Sequence, residues 1–239
     1  RCTTKIRTMS ATKNDLPKKR TPPNQTKHKI FKAHTDANAN LMANNFGTLW
    51  KHDAFQLHET FSDGNTEGDG GAIKIHDGSL MFGGGRFVNN TALNMGGAIA
   101  AVNSDVMMDS VAFVMNHVTQ GDGGALFVEN TNMDEYRCIM LTNTLFAENT
   151  AYSEGAGVFI RSTAENSYLD AYLDSVQFVN NSSYAYAGYR LYGNVWSNVN
   201  NSTFIGNQAQ AYAAAGGFSG GASVDMGYCL VAGNQANLN

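Results

Sequence analysis

The residues best suited to chemistry in this chain are aromatic and charged, and they gather in neighbouring stretches. Residues 129–142 hold Tyr136 and Arg137 beside Asp134 and Glu135, and residues 161–174 hold Arg161, Tyr168 and Tyr172 beside Glu165 and Asp170. Tyr184, Tyr186, Tyr189, Tyr192 and Trp196 follow. Aromatic rings with polar edges suit stacking on sugar faces or contact with a protein partner. The candidate binding residues are therefore Tyr136, Arg137, Arg161, Tyr168, Tyr172, Tyr184, Tyr186 and Trp196. About three of the five aromatics between 184 and 196 are expected to fill the core instead. Catalysis on a polysaccharide would need a cationic base beside bound calcium, or a cluster of carboxylates in a groove. Only Lys51, Lys74, Arg86, Arg137, Arg161 and Arg190 follow residue 32, and Arg137 with Arg161 is the best pair for the task. No residue is assigned a catalytic role.

Metal chemistry has a narrower footing. Gly68-Asp69-Gly70-Gly71 and Gly121-Asp122-Gly123-Gly124 are acidic turns, and Asp69 and Asp122 are candidate calcium ligands together with carbonyl oxygens. Asn94-Met95 occupies the equivalent place between them, so no carboxylate ladder is continuous, and a plain turn is the favoured reading with no cofactor. His52 and His58 lack a completing acid or cysteine. Cys2, Cys138 and Cys229 have no zinc-site spacing. Cys138 and Cys229 fall about three repeats apart, too far for a disulfide, so free thiols are expected.

The elements that would position these residues are set by a repeat. Gly70-Gly71-Ala72-Ile73 precedes Phe87-Val88-Asn89-Asn90, Gly96-Gly97-Ala98-Ile99 precedes Phe113-Val114-Met115-Asn116, and Gly123-Gly124-Ala125-Leu126 precedes Phe146-Ala147-Glu148-Asn149. Weaker copies run through Phe178, Phe204 and Val231, with a partial one at Phe61. Periods of this size mean stacked units. Short segments such as Ala72-Ile73-Lys74-Ile75 alternate with period two between Gly, Asn, Asp and Ser, so each unit reads as strands. Stacking predicts an inward column of Phe87, Phe113, Phe146, Phe178 and Phe204. It also predicts an aliphatic column of Ile73, Ile99, Leu126 and Val158, and an amide ladder of Asn90, Asn116, Asn149, Asn181 and Asn207 running on to Asn234. Glycine pairs mark corners where a Cβ would clash or φ is positive. Two adjacent repeats are longer by about six residues between their glycine corner and their Phe, which predicts a double protrusion on one side.

Gly-Gly-Ala-Ile together with Phe-x-x-Asn in one repeat resembles the repeat of the chlamydial polymorphic outer membrane proteins, over roughly residues 61–239. The resemblance implies an all-β, right-handed parallel β-helix of the pectin-lyase-like kind, here of about seven coils. It implies a surface adhesin or structural stalk without catalysis. The same fold carries pectate lyases and polygalacturonases, but no Arg-Ile-Lys, Gly-His-Gly or Asn-Thr-Asp of those families is present.

Composition divides the chain. Residues 1–37 read as a basic flexible tail, residues 38–60 as a degenerate first coil or N-terminal cap, and residues 61–239 as the repeats. The net charge of −4 hides ten Lys/Arg among residues 1–32 against a strongly acidic remainder, which argues against a nucleic-acid partner. No apolar run reaches transmembrane length. The start at Arg1 and the repeat-like end suggest a fragment or processed form. Asn-x-Ser/Thr sequons at Asn24, Asn89, Asn180, Asn181, Asn200 and Asn201 arise largely from the Asn corners. The expected function is a non-catalytic module at the cell surface or outside the cell, meeting a protein or glycan through the inserted corner and the Tyr-rich face. The alternatives are a subunit of a larger assembly, with other subunits at the solenoid ends, and a polysaccharide-active enzyme.

Overall fold

The computed structural model describes residues 56–57 and 60–237. The basic segment 1–37 and most of 38–60 lie outside them, as do His52 and His58. The described chain is all-β and without helices, in three sheets of twelve, six and seven strands. Every strand pairing is parallel. Each strand pairs with its counterpart one repeat away. The six-stranded sheet, for instance, runs from Ile73–His76 through Ile99–Val102, Leu126–Asn130, Val158–Ser162 and Tyr189–Gly193 to Gly216–Ser219. Parallel neighbours need a long connection, and here that connection passes through the other two sheets.

Alternation decides which side chains enter the core. Leu126, Val128 and Asn130 are buried along one strand, in line with Ile99 and Val158. The phenylalanines are buried and stack ring on ring, with centroids 4.8 Å apart for Phe87–Phe113 and for Phe113–Phe146, 5.2 Å for Phe146–Phe178 and 4.8 Å for Phe178–Phe204. Each such ring contributes about 1.5–3 kcal/mol of transfer free energy and roughly 0.5–1.5 kcal/mol more from ring pairing.

The asparagines three residues after each of these phenylalanines are fully buried and fully bonded. Asn116 shows the pattern: its Nδ2 donates to Asn149 Oδ1 at 2.9 Å and to the Phe87 carbonyl at 3.0 Å. Its Oδ1 accepts from both the backbone N and the Nδ2 of Asn90. The same four bonds recur at Asn149, Asn181 and Asn207. The residue before each asparagine turns the corner in the left-handed region, and this includes Met115 at φ 55° and Glu148 at φ 56°. A Cβ on Gly97 would sit 2.0 Å from the Gly124 carbonyl oxygen, so the second glycine of the corner is excluded from bearing a side chain by the next repeat.

Two features depart from what the residues suggested. Of the aromatics between 184 and 196, only Tyr189 enters the core; Trp196 and Tyr186 are half-buried, and Tyr184 and Tyr192 are exposed. Tyr189 takes the place of the aliphatic column beside Val158. It fits because the facing residue is the small Ser197, whose Oγ lies 2.9 Å from the phenol oxygen. Among the cysteines, Cys229 is a free, half-buried thiol as expected, whereas Cys138 is not free but disulfide-bonded.

Candidate functional site

The extra residues of the two long repeats lie between Asn130 and Tyr136 and between Ser162 and Tyr168, where the chain leaves the six-stranded sheet for the twelve-stranded one. The turns are held from within: Asn130 Nδ2 donates to the carbonyls of Glu135 (3.0 Å) and Tyr168 (3.2 Å). The strands that follow begin earlier than their predecessor. Cys138 already faces Asp105, donating its N–H to Oδ1 at 2.9 Å, so Tyr136 and Arg137 project past the preceding repeat.

Strand alternation then sorts the candidate residues onto two faces. Tyr136 and Tyr168 are in register on the outer face of the twelve-stranded sheet, 59% and 42% exposed, with rings stacked at 5.3 Å. Tyr172 and Trp196 lie on the same face and meet edge to face at 5.4 Å. Arg137 does not join them. It shares the inward row of Leu169 and Val195, and its guanidinium bends to Glu135 while Nε is buried without a hydrogen-bond partner among the described residues. Turn length set this parity, and the residue types alone do not reveal it.

Arg161 belongs to another face. It projects outward from the six-stranded sheet, with Nε 2.6 Å from Glu129 Oε1 and its guanidinium 5.0 Å above the Phe127 ring. Each arginine of the candidate catalytic pair is thus held by its own carboxylate, on a different sheet. Tyr186 lies against Arg190, with the guanidinium 4.3 Å from its ring, and stacks on Tyr212 at 5.3 Å. Tyr184 stands exposed on the seven-stranded sheet.

Arg190, one of the six cations after residue 32, has a role that its residue type does not reveal. It is 5% exposed and spans three repeats, bonding Glu154 Oε2 at 2.5 Å in one direction and Ser219 Oγ at 2.9 Å in the other, with the Leu191 carbonyl at 3.0 Å. One signal for it was available: Tyr186 and Tyr212 occupy the first-glycine position of the corner, at φ 53° and 61°, in line with Gly123 and Gly155. The Tyr186 ring needs Gly217, where a Cβ would come within 2.0 Å of it.

The candidate calcium ligands are occupied by the chain. Asp69 Oδ2 accepts from Lys74 Nζ at 2.8 Å. Asp122 Oδ1 accepts from the Glu154 N–H at 3.1 Å, and burial raises its carboxyl above the usual range despite hydrogen bonds from Ser153 and Glu154. Among the described residues no three His, Cys, Asp or Glu gather as a metal cluster. Nor is any helix there long and apolar enough to cross a membrane. No family model, no curated protein and no solved structure matches the chain.

Proposed function

We propose that the three sheets are the sides of a right-handed parallel β-helix of the polymorphic outer-membrane-protein repeat kind. Its role is that of a non-catalytic binding module at the cell surface or outside the cell. The parallel pairing of every strand with its counterpart one repeat away supports the winding. The observation that carries the binding role is the outer-face cluster beside the double insertion, made of the exposed Tyr136 and Tyr168 with the half-buried Tyr172 and Trp196. The stacked Tyr136–Tyr168 pair turns one ring face of each tyrosine toward the other while both residues stay exposed, which leaves ring edges for a partner. That arrangement favours a partner offering hydrogen-bonding groups along an edge, as glycans and polar protein surfaces do.

Glycan arrays and affinity electrophoresis with the full chain test this. Tyr136→Ala with Tyr168→Ala should lose at least tenfold in retention without a change in thermal midpoint. Retention that survives the double substitution places the binding elsewhere. A second reading, a subunit of a larger assembly, draws on the last strands of the described chain, where Phe218, Leu230 and Val231 are 39%, 53% and 55% exposed.

A further inference from the structure

Three methionines share one row on the outer face of the twelve-stranded sheet. Met81 pairs in register with Met107, and Met107 with Met140. Their flanking residues Leu80, Val106 and Ile139 are fully buried, which puts the methionines on the opposite, outward side. Met81 is 40% exposed and the other two are half-buried. Beyond Met140 the row turns polar or amphipathic, to Tyr172, Asn198 and Asp225. An apolar packing role is weak for a side chain facing water, so the chemistry of the sulfur is the better guide.

We propose that Met81, Met107 and Met140 form a thioether ladder that binds a soft monovalent cation, Cu(I) by chemistry, with Ag(I) as its redox-stable stand-in. Thioether sulfur selects Cu(I) over the harder divalent ions. A linear two-coordinate ion needs two sulfurs about 4.6 Å apart, twice a metal–sulfur bond of about 2.3 Å. Side chains in the same rotamer on adjacent strands keep the strand spacing, and the Phe87 and Phe113 rings on the strands that carry Met81 and Met107 are 4.8 Å apart. Methionine's three rotatable bonds close the remaining difference. The charge around the row has the right sign: Asp105 and Asp109 stand two residues to either side of Met107 on the same face. Hydrogen bonds from Thr142 and Asn143 hold the Asp109 carboxyl below its ordinary range, so it stays anionic.

The test is a titration of the full chain with Ag(I) in chloride-free buffer, in a Cys229→Ser background because a free thiol would capture the ion first. Methyl resonances of the methionines, followed by NMR, report which sulfurs bind. The ladder predicts that the Met81, Met107 and Met140 methyl signals shift together at one equivalent, while the exposed Met133 and Met226 stay in place until excess. Met107→Leu, close in volume, should weaken binding at least tenfold. Met81→Leu, at an exposed position that leaves folding intact, removes one of the two adjacent sulfur pairs and should leave the Met107 and Met140 signals as the ones that shift. The proposal is overturned if all exposed methionines shift alike, if Met107→Leu binds Ag(I) as tightly as its parent, or if the Met107 and Met140 signals stay in place in Met81→Leu.

Discussion

At the scale of single residues, the most informative pair is Tyr189 and Ser197. A phenol enclosed in the core must keep its hydrogen bond, because an unsatisfied buried hydroxyl costs about 1–3 kcal/mol. Burial also holds the Tyr189 phenol far above its ordinary pKa, so it stays protonated and neutral across the stable range. Ser197→Ala should therefore destabilise the protein by about 1–3 kcal/mol in urea unfolding, and adding Tyr189→Phe should return most of the loss; a double variant no better than the single one would show that packing, not the hydroxyl pair, matters. His117 offers a pH test. Burial lowers its pKa below the ordinary 6.5, and its Nδ1 meets Thr150 Oγ1. Below about pH 6.5 the unfolded chain takes up a proton that the folded chain refuses, so stability falls as pH drops through that range until the folded pKa is passed. His117→Gln should flatten this slope between pH 7.5 and 5, as read from urea midpoints, relative to the parent protein.

At the scale of elements, the asparagine ladder is the feature whose bonds least tolerate a change of chemistry. Asn149 donates to the Phe113 carbonyl and to Asn181 Oδ1, and accepts twice from Asn116. An aspartate there would turn a buried anion toward two acceptors. Asn149→Asp should cost more than Asn149→Ala, itself about 2–4 kcal/mol from the orphaned groups of its neighbours; equal losses in thermal unfolding would mean that the ladder is filler. These positions were legible because one environment recurs: a residue with the same neighbours above and below in every repeat must be the same type in every repeat. The insertion was legible too, as a difference in length. The inward turn of Arg137 was not, because one residue more or less in a turn exchanges the faces of a strand. The Arg190 cluster was hidden for a related reason. Its partners Glu154 and Ser219 are 36 and 29 residues away, and it depends on a tyrosine replacing a glycine at a corner.

At the scale of the whole molecule, the two ends of the described chain differ. Phe61, in the first repeat, is 5% exposed, while Val231, its counterpart in the last, is 55% exposed. Single-sided sheet edges with apolar side chains invite pairing with another chain. Leu230→Lys together with Val231→Thr should lower concentration-dependent association in sedimentation velocity, and association unchanged by them would remove the assembly reading. The direction of the bonding has a mechanical consequence as well. In all three sheets the backbone hydrogen bonds between repeats point from one repeat to the next, so a pull along that direction loads the repeat interfaces in series. Under tension the chain yields at its weakest interface first and lengthens by one repeat's worth of chain, 26 to 33 residues, at each step. Such a molecule should dissipate load progressively, with the greatest resistance expected where Arg190 clasps three repeats at once.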